Sequence, residues 1–143
     1  MQQTLTPGRK IMGRLSKGDD LLAALEAVCR VHGITLGEVQ ALGAVSQARV
    51  GYYNQSRQKY QFLELARPLE ILALTGNVSL KDGRPFVHAH VTLGDEAGNA
   101  FGGHLAEGTV IFACEFALQE YSSARPFTRQ PDEATGLFLW PTE

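Results

Sequence analysis

The stretch from Phe86 to Leu105, FVHAHVTLGDEAGNAFGGHL, constrains the chain more than any other. Phe86 to Leu93 is rich in β-branched and aromatic residues and is bounded by Gly83-Arg84-Pro85 and Gly94-Asp95, which predicts a strand. Asp95-Glu96-Ala97-Gly98 carries turn chemistry, so Asn99 to Leu105 is expected to return as the antiparallel partner. Residues two apart in a strand share a face, and His88 and His90 therefore point the same way. A turn centred near Ala97 brings His104 back opposite them. A slip of one residue, or a bulge at Gly102-Gly103, would send His104 to the other face.

Three imidazoles on one sheet face could hold a divalent metal, or they could be polar strand residues hydrogen-bonded to their neighbours. Imidazole suits zinc, and a site without thiolate or clustered acid is a poor one for calcium or magnesium. Water or a substrate would complete the coordination, since no fourth protein ligand is evident. That open position separates an enzyme or sensor site from a structural one. Metal-bound imidazoles need acceptors that fix their tautomers. Glu70 is the first candidate for that part and Glu115 the second, each a carboxylate inside an apolar run. The competing reading gives these two an ion pair, for instance with Arg84 or Arg49.

The rest of the chain supplies a sheet and one helix to carry the hairpin. A first strand is expected over Lys10 to Leu15. Asp19 or Asp20 then caps a helix whose apolar stripe is Leu21, Leu22, Leu25, Val28 and Cys29, and Gly33 ends it. Glu26 and Arg30 form a solvated pair, and His32 in the last turn has a structural role. Strands follow at Glu38 to Val45, Gln47 to Tyr53 and Tyr60 to Leu65. Leu69 to Val78 and Thr109 to Leu118 are nearly continuous apolar runs and read as central strands. Alternation places Glu70 with Leu72 and Leu74. It also puts Val110, Phe112, Cys114, Phe116 and Leu118 on one face, with Ile111, Ala113, Glu115 and Ala117 on the other. Tyr121 to Thr142 is polar and turn-rich, closing on Leu137 to Trp140. The expected architecture is α+β, a mainly antiparallel β-sheet packed by one principal α-helix, in a single domain over residues 1–143.

Composition excludes several classes. A net charge of −2 exerts no global pull toward nucleic acid. Neither an apolar leader nor a membrane-length apolar run is present in the sequence. Cys29 and Cys114 lie in apolar segments and read as buried, reduced thiols of a cytoplasmic protein. P-loop, nucleophile-elbow and CxxC motifs are absent. Two acid-free basic islands remain as candidate nucleic-acid contacts: Arg9, Lys10 and Arg14 near the start, and Arg49, Arg57 and Lys59 beside Tyr52, Tyr53 and Tyr60. The alternative is solvated cations on loops and strand ends.

The pattern GRPFVHAHVTLGDEAGNAFGGHLAEGTV resembles the signature of the plants-and-prokaryotes-conserved (PPC) domain family. LSKGDDLLAALEAVCRVHGI, PLEILALTGNVSL and FTRQPDEATGLFLW extend the resemblance over nearly the whole chain. It implies a compact domain of sheet and helix that assembles as a homotrimer, and it implies a DNA-binding, regulatory assignment. Plant relatives carry an AT-hook ahead of the domain, and none occurs in these 143 residues. A metal-dependent hydrolase or lyase, or a small-molecule sensor using the same histidines, is the alternative.

Overall fold

Asp20 starts the helix. Its backbone is extended at φ −72° and ψ 127°, and one carboxylate oxygen accepts from the free N–H of Ala23 at 3.0 Å. The other accepts from the Gly108 N–H at 2.7 Å, pinning the helix start to a loop distant in sequence. Helix α1 (Leu21–His32) ends at Gly33, whose φ of 66° is a left-handed value that a Cβ disfavours. A computed structural model describes residues 2–142, and α1 is the one helix among them. Leu21, Leu25 and Cys29 are buried against the sheet, with Leu22 and Val28 packed beside them. At about 2 kcal/mol for each fully buried Leu, this face rather than helix propensity holds so short a helix in place.

Strands β1 (Thr6–Leu15), β2 (Gly37–Asn54), β3 (Lys59–Leu65), β4 (Leu69–Lys81), β5 (Arg84–Gly94), β6 (Ala100–Leu105) and β7 (Val110–Ser122) make one antiparallel sheet. Its order is β1-β7-β2-β4-β5-β6, with β3 paired to the far half of β2. β4 and β7 are interior strands, as their apolar runs predict. The α+β class and the mainly antiparallel sheet packed by a single helix are therefore as expected.

Three boundaries differ from the sequence reading. β1 begins at Thr6 instead of Lys10, because a register shift between Pro7 and Lys10 absorbs the Pro-Gly pair. The two strands expected over Glu38 to Tyr53 are one bent strand, β2. Shifts around Val45 bend it without ending it, and Gly43 makes the bend possible at φ 140°, where a Cβ would collide with the Ala113 carbonyl. The polar tail also contains a short hairpin of β8 (Gln130–Asp132) and β9 (Leu137–Leu139). Its apolar end packs on itself and on the body: Trp140 stands edge-on to Phe127 of the same tail at 4.9 Å, and the Phe138 ring lies 4.0 Å from the Lys81 ammonium of β4.

Bulges also revise two face assignments. A shift between Ile71 and Ala73 leaves Glu70 and Leu72 exposed but turns Leu74 into the core. On β7, Ala113 pairs with Ala44 while Ile111 pairs with Val45, so Phe112 bulges out and Ile111 turns in. Cys114, Phe116 and Leu118 face the core as expected. Both cysteines are unpaired and buried, and burial pushes each thiol up to about 11.

The helix covers one face of the sheet. The other is open. Cross-strand pairing carries a continuous row over it from Met12 through Ala117, Gln40, Thr75 and His90 to His104. β2 also reaches β6 through Val50↔Leu105 and Gly51↔His104, so β2, β4, β5 and β6 close into a ring. No helix among the described residues is long and apolar enough to cross a membrane.

Candidate metal centre

β5 alternates cleanly. Val87, Ala89, Val91 and Leu93 are buried, so His88 and His90 are forced onto the open face. The turn that returns the chain is built on Asp95, whose Oδ1 accepts from the N–H groups of Ala97 and Asn99 at 3.0 and 2.9 Å. Gly98 supplies a φ of 79°. β5 and β6 then pair without a shift, His90 opposite His104. The glycine pair hosts no bulge. A Cβ on Gly102 would lie 2.7 Å from the Val91 carbonyl oxygen, and one on Gly103 would lie 2.6 Å from that of Gly51. These close approaches allow β6 to be clamped between β5 and β2, which fixes where His104 stands.

The three rings meet. Centroids are 5.3 Å apart for His88 and His90, 5.1 Å for His88 and His104, and 5.7 Å for His90 and His104. One ligand nitrogen from each lies within 4.8 Å of the others. Burial pushes the pKa of His88 down to about 4, aided by Arg129 and the other two imidazoles. Burial, His90 and Arg129 push His104 down to about 4 as well. Both are thus neutral near pH 7, with lone pairs available to a metal. Nδ1 of His104 is buried with no hydrogen-bond partner, an arrangement that is costly unless something else takes its place. This orphaned nitrogen fits a metal-binding role.

Neither proposed carboxylate stands beside the cluster. Glu70 pairs with Gly94 and lies five positions along β4 from Thr75, the partner of His90. At about 3.3 Å per residue that is roughly 16 Å. Glu115 pairs with Arg14 and Leu42 and is separated from β5 by two intervening strands. Strand-face alternation indicates a shared face but not distance along or across the sheet, so both carboxylates end far from the rings. Neither forms the ion pair weighed against that role with Arg49, which instead binds Glu64 at 2.8 Å.

Other side chains hold that position. Asn77 on β4 is opposite His88, and Glu38 on β2 is opposite Asn77. Glu38, Gln40, Thr75 and Asn77 line a cavity of about 330 Å³ with His88 and His90. Arg129, absent from the sequence reading, comes from the tail and is only 7% exposed. Its Nη2 donates to Asn77 Oδ1 at 2.8 Å, its Nε to Ser79 Oγ at 3.1 Å and its Nη1 to the Phe138 carbonyl at 3.1 Å. Tyr60 places its ring 4.9 Å from that of His104. The signal for Arg129 was a lone cation between Phe127 and the apolar clasp, in a segment read as loop.

The basic islands are partly spent on ion pairs. Arg9 binds both oxygens of Glu120 at 2.7 and 2.8 Å, and this pairing holds the Glu120 carboxyl down at about 2. Arg49, bonded to Glu64, also stacks over Phe62 at 3.6 Å. Lys10 and Arg14 lie exposed on the edge strand β1, whereas Arg57 and Lys59 lie at the β2–β3 turn. Two separate patches result.

Comparison with known proteins agrees with this architecture. A metal-containing protein from Archaeoglobus fulgidus is 42% identical, with a TM-score of 0.93 and 99% of each chain covered. A plant- and prokaryote-conserved protein from Pyrococcus horikoshii is 36% identical, with a TM-score of 0.94, covering 100% of this chain and 98% of its own. A protein of Ralstonia eutropha JMP134, described as a candidate DNA-binding protein, is 26% identical, with a TM-score of 0.80 over 92% of this chain and 90% of its own. Two Synechococcus proteins, each a bifunctional protein GlmU, are 38% and 37% identical over 124 residues. The match covers 86% of this chain but only 18% and 19% of theirs, so it spans less than a fifth of the length of these curated relatives. The sequence profile of the Plants and Prokaryotes Conserved (PCC) domain matches residues 2–122. The chain belongs to the PCC domain family.

Proposed function

We propose that the protein is a self-associating domain that holds one divalent transition metal, zinc by preference, on His88, His90 and His104. The observation that carries this is the convergence of three ligand nitrogens within 4.8 Å, one ring having an otherwise orphaned buried nitrogen. The kinship with a metal-containing archaeal protein supports it. Three imidazoles without a thiolate suit zinc and leave one coordination position for water or a ligand. A metal bound in that way supplies Lewis acidity. Around it Asn77 and Arg129 would orient a ligand, and the ring formed by β2, β4, β5 and β6 keeps the imidazoles in place. This favours a metal-dependent enzyme or small-molecule sensor over a purely structural site. Titrating metal-free protein with zinc should give one site per chain that His90→Ala abolishes. A parent protein that takes up no zinc would overturn the proposal.

Self-association, expected as a homotrimer, is supported by the apolar side chains left on the open face. Met12 is 76% exposed and Leu42 59% exposed, and Met12 lies in the same cross-strand row as His90. A second copy on this face would cover apolar surface and bring sites of different subunits close together.

DNA binding, the role given to the Ralstonia relative, is carried as the second reading because two exposed basic patches exist. With Arg9 and Arg49 engaged in ion pairs, Lys10, Arg14, Arg57 and Lys59 would supply a weak, sequence-tolerant contact.

A further inference from the structure

Arg129 is buried, and no carboxylate is among the groups that bond to it or shift its charge. Burial lowers its pKa and only Tyr60 opposes the change. Such a cation is expensive unless a counter-charge reaches it. Three of its five N–H groups are used, on Asn77, Ser79 and the Phe138 carbonyl, which leaves two. Faces of Phe86 and Trp140 stand 5.3 and 5.4 Å from the guanidinium and offset part of the cost. They do not neutralise it.

The guanidinium lines a cavity of about 260 Å³ that His88 and His104 also line. Lys59 and Lys81 stand on the same wall, and no Asp or Glu does. In a chain with more acids than bases, 15 against 13, a wall with three cations and no acid is a local departure from the average. The remaining surface is aromatic and apolar, chiefly Tyr60, Phe86 and Phe138. A metal on the imidazoles would add further positive charge beside Arg129.

We propose that this cavity binds a small organic anion, an aromatic or apolar body bearing a carboxylate, with the carboxylate on Arg129 beside the histidine cluster. Lys59 and Lys81 steer and screen the anion at the mouth, and the ring walls take the body. The inference deepens the metal reading, and rests on it in giving the metal's open position a ligand class. Arg129 acts on the carboxylate with or without the metal. A purely structural alternative exists, in which Arg129 only ties the tail to β4.

Benzoate is the probe, with benzamide as its neutral isostere, titrated by calorimetry into zinc-loaded and zinc-free protein. Benzoate should bind at least about tenfold more tightly than benzamide, since a charge-assisted pair at a buried site is lost in the amide. Arg129→Lys should weaken benzoate about tenfold or more. Lys59→Ala, at an exposed side chain that makes none of the Arg129 hydrogen bonds, should weaken it a few-fold while leaving the melting temperature and zinc uptake unchanged. Equal binding of benzoate and benzamide, or of benzoate to parent and Lys59→Ala, would overturn the inference. So would an Arg129→Lys protein that melts lower yet binds benzoate as the parent does. Zinc uptake without benzoate preference sinks the anion site alone. Benzoate preference in a protein that never takes up zinc upholds the anion site and sinks only the metal.

Discussion

His90 on β5 stands directly opposite His104 on β6, with ring centroids 5.7 Å apart. A side-chain period of two makes this pairing sensitive to a single-residue slip. The register is therefore as much a part of the metal site as the imidazoles are. The Asp95 turn and the close approach of Gly103 to β2 set that register.

Asp95→Ala removes acceptors for two backbone N–H groups and for the Asn99 side chain, and also an ion pair with Arg67. Lower stability is expected from loss of the turn bonds. Zinc affinity should fall as well, although no ligand has changed. Urea unfolding of the metal-free variant together with zinc titration would check both.

Gly103→Ala is the sharper test of register. Its Cβ would lie 2.6 Å from the Gly51 carbonyl oxygen, so β6 must move away from β2 and carry His104 with it. Zinc uptake should drop by at least about tenfold, with all three histidines intact. Parent-like uptake would show that the β2–β6 contact does not position His104.

Much of this was legible in the residues. Period-two spacing assigned His88 and His90 to one face, and Asp95 to Gly98 announced the turn that returns His104. The glycine pair, where the sequence allowed a bulge, is instead a site of close backbone approach. Other features depended on pairings that local sequence does not encode. The bulges that flip Leu74 and Phe112 arise from register with a neighbouring strand, and alternation carries no trace of them. Distances along and across the sheet separate Glu70 and Glu115 from the rings. Arg129 reaches His88 from a tail folded back on β4, where the Leu80 N–H donates to the Phe127 carbonyl and the Leu80 carbonyl accepts from the Arg129 N–H. That long-range docking leaves no periodic signature.

Metal-free stability should depend on pH through His88 and His104. Each is held down to about 4 in the fold against 6.5 unfolded. Between those values the unfolded chain binds more protons, so stability is fully present above about pH 6.5 and falls as pH drops toward 4. Zinc loading should raise stability above pH 6.5 by mass action and make its loss on acidification steeper, because protons then compete with the metal. Melting curves at pH 7.5, 6 and 5 with and without zinc would show this. A flat metal-free profile would contradict the burial of the two rings.

The open face predicts self-association. Light scattering at micromolar concentration should give about three times 15.6 kDa. Leu42→Glu, at a side chain 59% exposed, should lower that mass with little effect on the melting temperature of the separated chain. A parent mass of one chain would remove the trimer.

DNA binding should be weak and lose affinity steeply with salt, in proportion to the few phosphates that Lys10, Arg14, Arg57 and Lys59 can reach. Fluorescence anisotropy on two unrelated duplexes at two salt concentrations is sufficient. Tight binding to one duplex at physiological salt would show that the basic patches are a specific interface.

Metal content of the untagged protein as purified, compared with His90→Ala and His104→Ala, tests the central claim most directly. The account predicts about one zinc or similar transition-metal ion per chain in the parent and its loss in both variants. Substoichiometric metal in the parent that added zinc does not restore would contradict it.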